Sequence, residues 1–197
     1  MDKIRSRLLG AALGLALASM PAPVVYPSEP TTEKYDTMLT TDLDPEFIQY
    51  MMTVENGTKT GFKDDLWFPH RSVEDLSGTI AYGHKIQPGE NYSHGISEGT
   101  ARNLLIQDLR KAEKRASEML GELKWGRLES WEREILIDYQ FTGVLESFPK
   151  FMHAVIYADR RTMRREYKRY ATINGTRREL KERNRLFYDR YLKQFER

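Results

Sequence analysis

The chain has 197 residues and no cysteine, which excludes disulfide bonds, thiolate metal sites and a cysteine nucleophile. This length suits one domain whose hydrophobic core needs no covalent cross-link. The formal net charge of +2 conceals an asymmetry, because residues 159–197 contain fourteen Lys and Arg against six Asp and Glu. This local excess predicts an anionic partner at the C-terminal end, such as nucleic acid, lipid headgroups or cell-wall polymers.

Residues 1–30 are predicted to be an export segment and the start of a linker. A basic stretch is followed by an apolar run over residues 8–18, and the small residues at 16 and 18 suit cleavage by a signal peptidase. The run is too short to span a bilayer as an ordinary helix. A cleaved signal, a releasable membrane anchor and an apolar arm inside an assembly all stay open. Residues 31–43 are predicted to be linker, and residues 44–197 the folded domain.

The first predicted helix begins at Asp44 and Pro45. Aspartate can cap the free amides, and proline fits the first turn because its missing N–H is not needed there. Apolar residues then recur at helical spacing over residues 47–52, and Glu55 falls on the same face. Asn56 and Gly57 end the helix. The pattern therefore places a carboxylate at the inner edge of a helix end, which is unusual.

The segment that follows predicts short strands, and the rest of the chain predicts helices. Residues 58–86 are too rich in Gly, Asp and Pro for a helix, while residues 66–68 and 79–82 favour antiparallel strands. Ser97 and Ser130 are expected N-caps. The predicted helices cover residues 97–121, 130–143, 149–158, 162–171 and 178–195. The expected fold class is α+β, with a small hairpin-containing lobe and a larger, mostly helical lobe.

A motif closes the predicted hairpin: residues 79–84 are Thr-Ile-Ala-Tyr-Gly-His. Glu55 ahead of this T-I-x-x-G-H pattern resembles the active-site segment of the phage-type lysozymes, glycoside hydrolase family 24. The similarity extends over roughly residues 44–195. It includes residues 95–97, 131–143, 148–151 and 177–184. The Ala- and Gly-rich leader also resembles the signal-anchor segments of some phage endolysins, which later leave the membrane.

The resemblance implies a lysozyme-like fold and an activity. Glycoside hydrolysis needs a carboxylic acid that protonates the leaving oxygen, and an apolar setting suits Glu55 to that role by raising its pKa. The resemblance implies that Thr79 places the attacking water. His84, Tyr82 and His70 are expected to contact the substrate, although a structural hydrogen bond explains His84 better than direct catalysis.

The chain departs from the family where a second carboxylate is expected. The family places an aspartate six positions before the threonine, where this chain has Val73; one inserted residue puts Ser72 there instead. Ser72 is therefore taken as a catalytic candidate. The other candidate substitutes are His70, Asp64, Asp65 and Asp75. A missing second carboxylate leaves open a lytic transglycosylase, in which one glutamate acts as acid and then as base without water.

The expected function is a muramidase that hydrolyses the MurNAc–GlcNAc bond of peptidoglycan. It is expected to act as a monomer in the periplasm, or tethered to the inner membrane, of an infected bacterial host. No cofactor is expected, and the four histidines lack the spacing of a metal site. A virion component that opens the wall shares the chemistry.

A rival of another class is a nucleic-acid-binding module, in which residues 160–169 and 177–197 supply arginines interleaved with aromatic side chains. We favour the hypothesis that those aromatic residues belong to the hydrophobic core and that the arginines form a solvated face. Nucleic acid is therefore not an expected partner.

Overall fold

The computed structural model describes residues 42–71, 78–173 and 175–196. The predicted export segment, most of the predicted linker and Ser72 lie outside these residues. Within the described ranges, no helix combines the length and the apolar character needed to cross a membrane.

Helix α1, Pro45–Asn56, forms as its sequence predicts. The Asp44 carboxylate accepts the Glu46 amide at 2.8 Å and caps the first turn. Phe47, Ile48 and Met51 are buried on one face, which anchors the helix in the core. The last turn therefore projects Glu55 from the same side as these core residues.

Short antiparallel strands follow α1. β1 (Phe62–Lys63) pairs with β2 (Leu66–Trp67). Strands β3 (His70–Arg71), β4 (Gly78–Ile80) and β5 (His84–Lys85) form a second sheet in that order. The strand predicted over residues 79–82 ends at Ile80, because Ala81 and Gly83 adopt positive φ angles of 52° and 83° and turn the chain.

In the described residues, the middle of the chain contains three α-helices. They are α2 (Glu98–Leu120), α3 (Glu122–Trp125) and α4 (Ser130–Phe141). Ser97 caps α2 as predicted, and Gly121 ends it at a φ of 81°. The predicted cap Ser130 is wrong by one residue. Glu129 is the cap of α4, because it forms a reciprocal capping box with Glu132.

The C-terminal part contains a hairpin that the helical prediction missed. α5 (Pro149–Ile156) and α6 (Arg160–Glu166) precede it, β6 (Tyr170–Ile173) and β7 (Thr176–Glu179) form it, and α7 (Lys181–Phe187) follows. The helices predicted to run to residue 171 and from residue 178 are therefore wrong at those ends. A π-helical turn (Tyr188–Leu192) and a 3-10 turn (Lys193–Phe195) end the described chain.

The buried side chains of the described residues form two clusters. The first cluster joins α1, β2, β4 with the turn that follows it, and the first half of α2. The second joins α4, α5 and the C-terminal helices. Phe187 and Tyr191 are buried in the second cluster. This confirms the core prediction for Phe187 and Tyr191, whereas Tyr170 is exposed. The prediction that the arginines are solvated is wrong for Arg169, which is buried, and for Arg183, of whose side chain 11% is exposed, because both pair with buried carboxylates. The fold class is α+β, as predicted.

Candidate active site

A cleft of about 600 Å³ opens beside the C-terminal end of α1. Its walls come from α1, from β3 and β4, from the end of α4 and from the β6–β7 hairpin. Three residues predicted from sequence line it: Glu55, Thr79 and His70. Groups that are distant in sequence therefore face one solvent-accessible space.

Glu55 lies on the last turn of α1, and only 13% of its side chain is exposed. The turn after β4 approaches its carboxylate closely. A Cβ atom added at Gly83 would lie 3.6 Å from Oε2 of Glu55. Gly83 has a φ of 83°, a conformation that side chains of other residues disfavour. Glycine therefore keeps this edge of the carboxylate open to the cleft.

Behind Glu55 lies a buried ion network centred on Asp138 of α4. Arg169 donates to both carboxylate oxygens of Asp138, at 3.0 and 2.9 Å. Arg183 of α7 donates through Nη2 to Oδ1 at 2.6 Å, and the Tyr50 hydroxyl donates to Oδ2 at 3.0 Å. Burial alone would raise the pKa of Asp138, but the two guanidinium groups outweigh it and hold that pKa well below its usual range.

Arg183 also touches Glu55. Its Nη2 lies 2.7 Å from Glu55 Oε1, so Arg183 forms close ion pairs with both Glu55 and Asp138. Glu55 Oε1 is buried and has no hydrogen-bond partner among the described residues. Burial raises the pKa of Glu55 and the Arg183 charge only partly offsets this, so the pKa stays above its ordinary value.

Thr79 and His70 face each other across the β3–β4 pair. The Thr79 hydroxyl donates to the backbone carbonyl of His70 at 3.3 Å, which fixes its direction and leaves its oxygen able to accept a hydrogen bond. Both residues are partly exposed on the cleft wall. This arrangement can hold a water molecule or a substrate hydroxyl.

Asn56 joins the end of α1 to the cleft wall. Its side-chain amide donates to the backbone carbonyls of Ala81 at 2.8 Å and Thr60 at 2.9 Å, and its oxygen accepts the Thr60 amide at 2.8 Å. Asn56 therefore fixes the distance between Glu55 and the turn that carries Gly83. The sequence indicated only that Asn56 ends a helix.

Tyr82 and His84 do not line the cleft. Tyr82 is buried, and its hydroxyl donates to Glu98 at 2.5 Å. His84 is held between Asp108 at 2.6 Å and Glu90 at 3.0 Å on the other side of the hairpin. The structural hydrogen bond favoured for His84 is therefore present. Neither side chain is placed to contact a glycan bound beside Glu55.

Of the candidates for the second catalytic group, the structure brings His70 to the cleft, and Asp64 and Asp65 do not line it. Asp64 and Asp65 form the exposed turn between β1 and β2, while Ser72 and Asp75 lie outside the described residues. Glu55 is the one carboxylate in the cleft lining where the structure describes it. The described part of the chain also holds no group of three His, Asp or Glu side chains suited to a metal ion.

Comparisons with protein-family models, with curated proteins and with solved structures find no match.

Proposed function

We propose that this protein is a lysozyme-like muramidase that hydrolyses the MurNAc–GlcNAc bond of peptidoglycan. The observation that carries the proposal is the mostly buried Glu55 carboxyl group, which has a raised pKa and opens on a cleft shared with Thr79. A raised pKa increases the protonated fraction of the Glu55 carboxyl group at any given pH, and a general acid reacts in its protonated form. The cleft has the volume of a ligand site.

Each residue then has a defined task. Glu55 donates its proton to the glycosidic oxygen, and the bond from that oxygen to the muramic acid C1 breaks. A water molecule held by the Thr79 hydroxyl attacks C1 and releases its second proton to bulk water, from which the Glu55 carboxylate is protonated again. Gly83 leaves room beside the Glu55 carboxylate, and Asn56 holds the turn in place.

A second candidate is a lytic transglycosylase acting on the same bond. It is favoured by the single carboxylate in the described cleft lining, because that reaction needs no second acid. Glu55 would first protonate the leaving oxygen and then accept the proton of the muramic acid C6 hydroxyl as that oxygen closes on C1. Mass spectrometry of digested strands separates the two reactions: a reducing muramic end identifies hydrolysis, and a 1,6-anhydro end identifies transglycosylation.

The first test replaces Glu55 with Gln, which preserves shape and removes the acid. Clearing of a peptidoglycan suspension should slow by roughly 10²–10⁴-fold, the usual contribution of general acid catalysis. The matched control is Glu46→Gln, which changes an exposed glutamate at the start of the same helix and should leave the rate unchanged. A Glu55→Gln variant that clears at the wild-type rate would falsify the role given to Glu55.

The proposal places the enzyme outside the cytoplasm of an infected bacterium, in the periplasm or tethered to the inner membrane. Its support is the basic and apolar pattern of residues 1–18. Deleting these residues should leave a folded enzyme that lyses cells only after the membrane is broken. Host-cell turbidity with and without a membrane-permeabilising agent measures this. Undiminished lysis by the shortened chain, with no helper protein present, contradicts export.

A further inference from the structure

A second cavity, of about 590 Å³, adjoins the cleft. Phe148 and Tyr170 line both spaces, so the two cavities are neighbours on the surface. A group attached to a polymer in the cleft can therefore reach it. We call this second cavity the anion pocket, because of the charges that surround it.

Four cationic side chains line the anion pocket: Lys150, Arg165, Lys168 and Arg177. The lining contains one carboxylate in the part of the chain that the structure describes, Glu166, which is 3.0 Å from Arg165. The pocket wall therefore keeps an excess of positive charge, which attracts anions.

Two of these cations are available to a ligand. Lys150 is exposed and forms no ion pair with any described residue. Arg177 of β7 lies over the ring of Tyr170, with its guanidinium carbon 4.0 Å from the ring centre. Stacking on the face of a ring leaves the in-plane N–H groups of a guanidinium free, and these match the oxygens of a carboxylate or a phosphate.

We propose that the anion pocket binds an oxyanion carried by the peptidoglycan strand next to the bond that is cleaved. The chemical class is a carboxylate of the stem peptides or a phosphodiester of a wall polymer attached to the glycan. This inference rests on the proposed function, because it assigns the adjoining cleft to a glycan.

The test compares two double variants with the same change in charge. Lys150→Gln with Arg177→Gln alters the pocket. Arg161→Gln with Arg178→Gln alters exposed cations of the same basic region that do not line it. Both are made together with Glu55→Gln, so that bound strands are not cleaved. Binding is measured to glycan strands immobilised on beads, at two salt concentrations.

Each protein is tested on strands that keep their substituents, on strands freed of stem peptides by an amidase, and on strands freed of phosphodiester polymers. The pocket variant should bind intact strands roughly tenfold or more weakly than the control variant, as expected for the loss of charge-assisted hydrogen bonds. This difference should disappear on the strands that lack the recognised oxyanion. The preparation on which it disappears identifies the carboxylate or the phosphodiester as the ligand.

Equal weakening by the two variants, no weakening, or a difference that survives removal of both substituents overturns the inference. Failure of the proposed function is seen separately, because a Glu55→Gln protein that still clears peptidoglycan overturns both. If Glu55→Gln abolishes clearing and the two double variants bind equally, only the anion pocket is overturned.

Discussion

At the scale of single residues, Glu55 has an unusual environment. One of its oxygens is buried without a hydrogen-bond partner in the described structure, although the Arg183 guanidinium lies 2.7 Å away. Buried polar groups in folded proteins are nearly always paired, so an exception needs an explanation. The Arg183 guanidinium contacts both Asp138 and Glu55, and its charge offsets part of the rise in the Glu55 pKa that burial causes. A carboxyl group in a cleft whose pKa is shifted by burial and by a specific charged partner is a candidate functional residue.

This arrangement predicts how Arg183→Gln changes the pH dependence of activity. The Arg183 charge lowers the pKa of Glu55, so its removal should raise that pKa further. In the proposed mechanism the reaction requires protonated Glu55, so the alkaline limb of the kcat/KM profile should move to higher pH. The measurement is the initial rate on solubilised glycan strands from pH 4 to 9.

Two variants check that the shift comes from the charge. Arg183→Lys retains a cation and should keep the limb near its wild-type position. Arg185→Gln changes an exposed arginine on the same helix, paired with Glu182 at 2.6 Å, and should not move the limb. A limb that is unchanged, or displaced to lower pH, in Arg183→Gln would contradict the assignment of Arg183.

The sequence predicted part of this site. Glu55, Thr79 and His70 were identified because they lie in one segment whose pattern is local. Asp138, Arg169 and Arg183 were not, because they come from separate parts of the chain and only the tertiary fold joins them to Glu55. The signal available was a charged residue, Asp138, in the apolar stretch of α4, and an aspartate there requires a buried partner.

At the scale of elements, the site depends on how α1 meets the turn after β4. The Asn56 amide spans the two and satisfies two backbone carbonyls, one of them in Ala81, whose φ is 52°. An alanine with a positive φ angle keeps this conformation only when the surrounding structure holds it there. The helix end, the asparagine and the turn therefore form one unit that sets the position of Glu55.

The caps explain why helices were easier to predict than strands. Asp44 and Ser97 begin helices where the sequence places them, because capping depends on neighbouring residues alone. The β6–β7 hairpin was missed since apolar residues on both sides of it also fit a helical period. Asn174-Gly175 was the available signal, because this dipeptide favours hairpin turns.

The contacts of His84, which join β5 to α2 and to the loop after β5, predict that stability depends on pH. Burial alone would lower the pKa of His84, but its hydrogen bonds to Asp108 and Glu90 outweigh this and raise it. The stabilisation from protonated His84 is complete below the unfolded pKa of about 6.5 and is lost as the pH rises through the raised folded value. The pKa values of both carboxylates are lowered, so their contribution is lost as the pH falls below about 4.

His84→Gln should therefore lower the free energy of unfolding most between about pH 4 and 6.5, by roughly 1–3 kcal/mol, with a smaller difference at pH 8 and above. Urea unfolding at several pH values measures this difference. The control His153→Gln changes an exposed histidine of α5 and should show no such pattern. A loss that is equal at all pH values, or greatest at alkaline pH, would exclude the ionic role of His84.

At the scale of the whole molecule, Asp138 connects parts of the chain that form different walls of the cleft. Its carboxylate binds Tyr50 of α1, Arg169 before β6 and Arg183 of α7. The side chain is fully buried, and its partners are buried or nearly so. The same carboxylate thus holds the helical core together and balances the charges that surround Glu55.

Asp138→Asn removes this charge and leaves the Arg169 and Arg183 guanidinium groups buried and uncompensated. Loss of one partner from a buried ion pair costs about 3–5 kcal/mol, a large part of the roughly 5–15 kcal/mol that stabilises a typical domain. The urea midpoint should therefore fall sharply. Glu182→Gln, which breaks the exposed pair with Arg185, should leave the urea midpoint nearly unchanged. Equal losses in the two variants would show that Asp138 does not hold these elements together.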